Sequence, residues 1–241
     1  MSKAPPRKPL KWIASAKRDL DAMPDDVKDV FGYAIDLAQT GGKHVHAKPL
    51  SGFGSAGVLE VVDDFQGDTY RAVYTVRFSG WVYVLHCFQK KAKSGIRTPK
   101  MDIDLNQGPS EDGTVGIRGG QQEGPSRSEA MKQPKESIEE VIESSGNVYA
   151  DLGYAEAGEM QRKAQLAAEI ARVIKARRLT QDQAAELLGI DQSKVSRITR
   201  GQFRAVSEAK MLELVAKLGH DVKIVVSPVR RRAGKIELEF S

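Results

Sequence analysis

The sequence from Leu179 to Gly201 predicts two short helices joined by a tight turn, and it is the most informative stretch of the chain. The hydroxyl of Thr180 can accept a hydrogen bond from an unpaired backbone N–H, so Thr180 is expected to cap the first helix. Gly189 suits the left-handed residue that ends such a helix, and Asp191 is expected to cap the second. Gly201 ends the second helix.

The apolar residues of this stretch recur at helical spacing and predict one buried face on each helix. These are Ala184, Leu187, Leu188, Val195 and Ile198. The second helix then presents amide, hydroxyl and guanidinium groups outward, which suits a DNA major groove. An ordinary helical hairpin with a solvated polar face is the alternative. The outward residues are Gln192, Ser193, Lys194, Ser196, Arg197 and Arg200.

A length of 241 residues allows one large domain or two small ones. No apolar run is long enough to span a membrane, and the polar N-terminus has no signal-peptide core, so we expect a cytoplasmic protein. The single cysteine, Cys87, excludes an internal disulfide and fits a reducing compartment. Because Cys87 falls inside a strand pattern, we expect it in the core rather than in a catalytic role.

The formal net charge of +5 is unevenly distributed. Residues 1–104 carry a net +4, residues 105–160 a net −7 and residues 161–241 a net +8. Two basic modules are thus separated by an acidic connector. Basic modules favour polyanionic partners, most simply nucleic acid.

The first module predicts helices followed by an antiparallel sheet. Pro9 to Ala14 is expected to form an edge strand, and Ala16 to Met23 a short helix. Pro24 then starts an amphipathic helix that runs to Gly41. The period changes to two in three predicted strands joined by short hairpin turns, Val58 to Phe65, Thr69 to Phe78 and Trp81 to Gln89.

Positive charge collects around this sheet. Lys48 follows His44 and His46 in a loop, and the last strand leads into Lys90, Lys91, Lys93, Arg97 and Lys100. Such a patch would bind a phosphate backbone, although a solvated basic loop is the alternative. The two histidines lack further ligands at metal-binding spacing, so we expect no metal and no other cofactor.

Three segments carry a resemblance to a known family: Tyr70 to Tyr74, Val84 to Lys91, and Thr98 to Asp104. They resemble toxins of the RelE/HigB superfamily and more narrowly its phage Gp49-like branch, over about residues 8–105. The resemblance implies a small antiparallel sheet with two N-terminal helices. It also implies binding to the ribosome and cleavage of mRNA.

The implied reaction is a metal-free cut, in which the 2′-hydroxyl attacks the adjacent phosphate and cations stabilise the transition state. By their matching positions, Arg71 would contact the scissile phosphate, and Lys90 and Lys91 would supply the basic pair. His86 lies in the matching strand, where a core position is the favoured alternative to a site position. The implied RNA-binding residues are Lys48, Lys93, Arg97 and Lys100.

The sequence departs from many of these relatives at two places. Leu59 to Val62 lacks the arginine that often follows the glutamate of this strand, and Leu105 leads into a Gly-Pro-Ser segment instead of an amphipathic helix. An inactive binding domain is therefore an alternative to an active endoribonuclease.

The connector has two predicted parts. Residues 106–130 are rich in Gly, Pro, Ser, Glu and Gln and predict a flexible linker. Residues 131–160 are expected to form an acidic arm that begins with Met131, like a separate reading frame. Within it, Ser145 to Gly153 resembles the N-terminal arm of a subgroup of Xre-type antitoxins. One or two helical turns are expected over Ser137 to Ser144. The arm is predicted to lie across the basic site with Val148, Tyr149 and Leu152 as anchors, or else to be a solvated linker.

The second module, residues 161–241, predicts four or five short helices. Gln161 to Arg178 forms one, the pair described above follows, and Ser207 caps another that ends at Gly219. This arrangement resembles the Xre/lambda-repressor family, as in HigA-type antitoxins. Asp221 to Ser227 and Lys235 to Phe240 alternate like strands, which could form the sheet of a dimer or else fray.

The Xre resemblance implies a role for each outward residue. Gln192, Ser193, Lys194 and Arg197 are candidates for base edges. Thr180, Gln181, Ser196 and Arg200 are candidates for phosphates. A palindromic operator would require a homodimer.

The leading interpretation is an α+β chain that joins a RelE-like toxin domain, residues 1–105, to an all-α lambda-repressor-like antitoxin domain with C-terminal strands. Its expected partners are operator DNA, the ribosome with its mRNA, and its own other half, within one chain or between two. A transcriptional regulator with an inactive RelE-like domain is the alternative.

Overall fold

The structure is a computed structural model, and it describes residues 7–50, 57–76, 80–90, 101–103, 117–119, 141–229, 231 and 233–240. The predicted α+β class is confirmed. The first part contains β1 (Leu10–Ile13), α1 (Ala16–Asp21), α2 (Asp25–Gln39), β2 (Ala47–Pro49), β3 (Val58–Phe65), β4 (Asp68–Thr75) and β5 (Val82–Lys90). The two N-terminal helices and the β3–β4–β5 meander match the sequence prediction.

The later elements are mostly helical. They are β6 (Met101–Ile103), β7 (Ile117–Gly119), β8 (Val141–Glu143), α3 (Val148–Asp151), α4 (Ala157–Ala176), α5 (Gln181–Leu188), α6 (Gln192–Arg200) and α7 (Glu208–Lys217). β6 and β7 pair antiparallel, so part of the predicted linker is a short strand. The rest of that linker lies outside the described residues.

The main sheet has six strands in the order β2-β3-β4-β5-β1-β8. Its neighbours run antiparallel except β1 and β5, which are parallel. β1 was expected at an edge, but β8 pairs with its free side and makes it an internal strand. A strand from the C-terminal half thus completes the sheet of the N-terminal half.

Helix α2 is buried on more than the one face that its periodicity predicts. Val27, Phe31 and Ala34 belong to the hydrophobic core, as predicted. Asp29 and Asp36 are also buried, although an amphipathic helix would expose such residues. The reason is that the C-terminal half packs on this helix, and one hydrophobic cluster runs continuously from Leu10 to Leu218.

One local prediction is wrong, and a second, the pair of C-terminal strands, stays a prediction for a dimer. Part of the segment Ser137 to Ser144 is strand β8 rather than a helical turn, because its backbone pairs with β1. The predicted strands Asp221–Ser227 and Lys235–Phe240 are not formed in the single chain. A strand needs a hydrogen-bonded neighbour, and neither segment has one among the described residues. Within these same residues, no helix is long and apolar enough to cross a membrane.

Candidate nucleic-acid interfaces

The helix pair α5–α6 begins and ends where its sequence predicts, but of the two predicted N-terminal caps only that of Thr180 is formed. The Thr180 hydroxyl accepts a hydrogen bond from the Gln183 N–H at 3.2 Å, and the Gln183 side chain accepts one from the Thr180 N–H at 2.9 Å. Gly189 and Gly201 end the two helices with φ of 65° and 101°. Asp191 precedes α6 without a capping side-chain bond and instead forms an ion pair with Lys194 at 3.4 Å.

The inner faces of both helices are buried much as predicted. Ala184, Leu188, Val195 and Ile198 are in the core, whereas Leu187 was expected inward and is 42% exposed. Leu187 lies one residue before the buried Leu188, and the apolar stripe of a helix as short as α5 is too narrow to cover both.

The predicted DNA-contacting residues lie on the outer surface. Ser196 and Arg200 are half-buried, and the others are exposed. The exposed residues are Thr180, Gln181, Gln192, Ser193, Lys194 and Arg197. The amide of Gln192 donates to the amide oxygen of Gln181 and so ties the start of α6 to the start of α5. The result is a polar, positively charged helix surface of the kind that enters a major groove.

The predicted RNA-contacting residues that are described share one face of the sheet. The register pairs Lys48 with Glu60, Glu60 with Val73, and Val73 with His86. Directly opposed residues point to the same side, and residues two apart along a strand do so too. Lys48, Arg71, His86 and Lys90 therefore lie on the face opposite α2, here called the open face. Lys91, Lys93, Arg97 and Lys100 lie outside the described residues.

Arg71 is held by an acidic neighbour on the open face. Its Nη1 donates to Glu60 Oε2 at 2.7 Å, and the two side chains are 24% and 16% exposed. This ion pair fixes the guanidinium in place and also offsets its charge. Val62, in the segment that lacks an arginine, stands opposite Arg71.

Three residues of β5, His86, Cys87 and Lys90, differ in their environment. His86 is half-buried and stacks on Phe88, with ring centroids 4.9 Å apart, so the favoured core position for His86 is wrong. Cys87 points to the opposite side and is buried, and burial raises the pKa of its thiol. Cys87 is thus a core residue, as predicted. Lys90 is exposed at the end of the strand.

The segment after β8 anchors the C-terminal half on the first domain. Val148, Tyr149 and Leu152 are buried, as their predicted role requires. They pack against α2, where a Cβ on Gly32 would lie 3.3 Å from Tyr149 Cε1. The Trp12 indole donates to Asp151 Oδ2 at 3.0 Å. The described arm therefore lies on α2 and β1 and not across the open face, because its apolar anchors need an apolar surface.

A second group of contacts follows helix α6. Arg204 donates to both carboxylate oxygens of Asp29, at 3.1 and 2.9 Å, and to Asp25 at 2.7 Å. The Tyr154 hydroxyl donates to Asp29 Oδ1 at 2.7 Å, and its ring lies 4.9 Å below the Arg204 guanidinium. The sequence did not predict this network, because helical periodicity places Asp29 on the side of α2 away from Val27 and Phe31. No local signal marks the pair, since Arg204 lies 175 residues later.

The end of α6 itself contacts the first domain. His44 Nε2 lies 3.0 Å from the Arg200 carbonyl oxygen, and the His46 N–H donates to His44 Nδ1 at 3.2 Å. Nδ1 accepts a bond, so Nε2 must carry the proton and donate. Burial lowers the pKa of His44 to about 4 and keeps the ring neutral. Gly201 lies so close to Tyr33 that a Cβ on Gly201 would be 2.7 Å from the Tyr33 Cβ.

These arrangements define a chain with a toxin-type α+β domain and a DNA-binding helix-turn-helix domain that dock on each other. Residues 18–107 match the family described as phage derived protein Gp49-like, and residues 148–227 match a helix-turn-helix domain family. The chain therefore joins a region similar to the Gp49-like family to a region similar to a helix-turn-helix domain family. The two resemblances predicted from the sequence are thereby confirmed.

A solved structure described as an XRE family transcriptional regulator is 35% identical to this chain. The match covers 96% of that protein and 34% of this chain, with a TM-score of 0.33. Curated proteins gave no significant match.

Proposed function

We propose that this chain is a toxin–antitoxin protein in which both partners are part of one polypeptide. The C-terminal domain would bind operator DNA and repress its own gene, and it would also neutralise the N-terminal domain. The observation that carries this proposal is the docking of β8, Tyr149 and Arg204 onto β1 and α2 of the Gp49-like domain, while the outer face of α6 stays exposed. Both activities place the protein in the cytoplasm.

The proposed reaction of the first domain is metal-free cleavage of ribosome-bound mRNA. Arg71 would contact the scissile phosphate, and Lys90, with Lys91 after it, would stabilise the charge that develops when the 2′-hydroxyl attacks. His86 is the candidate for proton transfer, because its ring is on the same face and half-buried. The arm would then act by blocking access of the domain to the ribosome, since its described part leaves the open face uncovered.

A transcriptional regulator with an inactive first domain is the second candidate. The observation in its favour is the Glu60–Arg71 ion pair, which offsets the positive charge that the reaction needs. The lack of an arginine from Leu59 to Val62 also favours an inactive first domain.

Expression of residues 1–105 alone separates the two candidates. A toxin arrests growth in this form, and replacing Arg71 and Lys91 by alanine relieves the arrest. Arrest that survives the double change would place the reaction elsewhere. No arrest from a fragment that is folded by circular dichroism would favour the regulator.

We further propose that the DNA-binding form is a homodimer, because a palindromic operator presents two half-sites. The exposed apolar residues after α7 support this, since Ile224, Val225 and Val226 are 79%, 72% and 90% exposed. A footprint over the promoter of the gene itself should disappear with Arg197→Ala. It should persist with Arg172→Ala, an exposed arginine of α4 that pairs with Glu169. A footprint that Arg197→Ala leaves intact would show that α6 does not read the operator.

A further inference from the structure

The loop before β2 is fixed against the last residue of α6. His44, in this loop, is 2% exposed and donates to the Arg200 carbonyl oxygen. Its ring also meets Tyr33 edge-on, with centroids 5.8 Å apart. The first domain therefore holds a loop at a fixed position beside the helix that carries the candidate base-reading side chains.

This loop and the end of α6 form one cluster of positive charge, here called the junction patch: Lys43, His46, Lys48 and Arg200. Lys43 and Lys48 are exposed. The His46 ring meets the His44 ring edge-on, with centroids 5.5 Å apart, and His44 bonds the Arg200 carbonyl oxygen, so the loop lies against the end of α6. Burial lowers the pKa of His46, and the charges of Arg200 and Lys48 lower it further. Among the described residues, no ion pair involves Lys43, Lys48 or Arg200. Two carboxylates are nearby. Burial raises the pKa of Asp63 to about 6, although Arg200 lowers it, and Glu60 stands opposite Lys48 in the strand register but bonds Arg71.

A surface on which positive charges are clustered and form no ion pairs attracts polyanions. The position of the patch indicates which polyanion it binds. Arg200 ends the helix whose Arg197 faces outward, so the patch continues the helix-turn-helix surface beyond the major groove. The group that DNA presents beside its groove is the phosphate backbone.

We propose that the loop Lys43 to Lys48 of the Gp49-like domain is a second DNA-contacting element, which binds backbone phosphates next to the half-site that α6 reads. The proposal rests on the proposed DNA-binding function. It assigns to the first domain a role in operator binding that is separate from RNA cleavage. The docked chain then covers more DNA than a helix-turn-helix domain does alone.

The test uses the full chain and a fluorescent mixed-sequence DNA duplex that extends past the helix-turn-helix footprint. Binding is measured by anisotropy over a range of NaCl concentrations. The double change Lys43→Gln with Lys48→Gln is compared with Lys17→Gln with Arg18→Gln, which removes the same charge from two neighbouring positions of α1 that belong to no proposed site. His44 stays intact in both, so the docking contact is preserved.

We expect the patch variant to bind DNA more weakly and its plot of log affinity against log salt to be shallower, by about one unit for each lost phosphate contact. The control should match the wild type. Equal losses in both variants would mean that net charge acts without a specific surface, and this would overturn the proposal. So would an unchanged slope in the patch variant, or a loss confined to single-stranded RNA measured in parallel.

Arg197→Ala in the same assay separates this proposal from the one on which it rests. If Arg197→Ala weakens binding and the patch variant does not, the junction patch is wrong and the helix-turn-helix assignment stands. If Arg197→Ala has no effect, the DNA-binding role of α6 itself fails.

Discussion

The guanidinium of Arg204 holds the carboxylate of Asp29 through two hydrogen bonds, from Nε at 3.1 Å and from Nη2 at 2.9 Å. Asp29 is buried in α2, and burial raises its pKa despite the opposing effects of Arg204 and Tyr154. A buried carboxylate is strongly destabilising unless it is paired. The first domain thus contains a charge for which the second domain supplies the partner, and this makes the docking specific.

Replacing Arg204 by alanine should therefore weaken docking. Arg204 is itself 42% exposed, so we expect a loss of about 2 kcal/mol, below the range of a fully buried pair. Denaturant unfolding followed by tryptophan fluorescence measures it, because Trp12 is fully buried and bonded to Asp151 of the docked segment.

The matched control for this change is Lys210→Ala. Lys210 also bonds a carboxylate, that of Glu213, but both residues lie on α7. We expect a change below about 0.5 kcal/mol, as for exposed pairs within one helix. Equal effects of the two substitutions would contradict a special role for Arg204.

Gly201→Ala should disrupt the junction in a different way. The φ of Gly201 is 101°, and an added Cβ would lie 2.7 Å from the Cβ of Tyr33. Both the backbone strain and the overlap oppose the docked state, since α2 cannot easily move away. Gly219→Ala is the control: its φ is 92°, but the nearest atom to its Cβ would be the end of the Arg177 side chain, at 3.3 Å.

Thermal unfolding distinguishes these two glycines. We expect Gly219→Ala to lose about 1 kcal/mol from backbone strain and Gly201→Ala to lose about 2 to 4 kcal/mol. If both lose the same amount, the close approach to Tyr33 does not contribute to stability.

The His44 contact predicts a pH dependence. The ordinary histidine pKa is 6.5, and burial lowers that of His44 to about 4, so the unfolded chain binds more protons between these values. The contribution of His44 to stability is thus full above about pH 6.5 and falls as the pH drops toward 4. The loss amounts to as much as about 3 kcal/mol.

Other buried groups act in the opposite direction, so the His44 effect is measured as a difference. Asp36 and Asp63 have pKa values raised to about 6 by burial, and their contributions increase as the pH falls. His44→Gln keeps a donor and an acceptor but cannot titrate. The free energy of unfolding of the wild type minus that of His44→Gln should therefore decrease on acidification. A constant difference from pH 7 to pH 4.5 would contradict a neutral buried His44.

Local patterns were sufficient to predict most elements. Thr180, Gly189 and Ser207 mark helix boundaries through short-range chemistry, and the strand alternation from Val58 to Phe65 was predicted to the residue. These features depend on neighbours a few residues away. The candidate residues on the open face were predicted from the family resemblance. The direction of the His86 side chain could not be, because it depends on the strand register.

The docking could not be predicted, because it depends on partners far apart in the sequence. β8 forms a strand because it pairs with the free edge of β1, and the sequence of Val141–Glu143 does not predict that pairing. The burial of Asp29 likewise requires Arg204, 175 residues later. The C-terminal apolar segments are the complementary case. Their alternation predicts strands, but neither has a neighbouring strand among the described residues of one chain, so a sheet between two chains stays a prediction.

The Glu60–Arg71 pair leads to a last prediction, on RNA affinity. Glu60→Gln removes a carboxylate 2.7 Å from the guanidinium that would bind the scissile phosphate. The open face then carries more net positive charge, and we expect the full chain to bind a short single-stranded RNA several-fold more tightly at low salt. Asp64→Asn is the control, because Asp64 lies on the same face and bonds Thr69 instead of Arg71. If Asp64→Asn raises RNA affinity as much as Glu60→Gln does, the gain reflects overall charge, and the ion pair with Glu60 does not weaken RNA binding by Arg71.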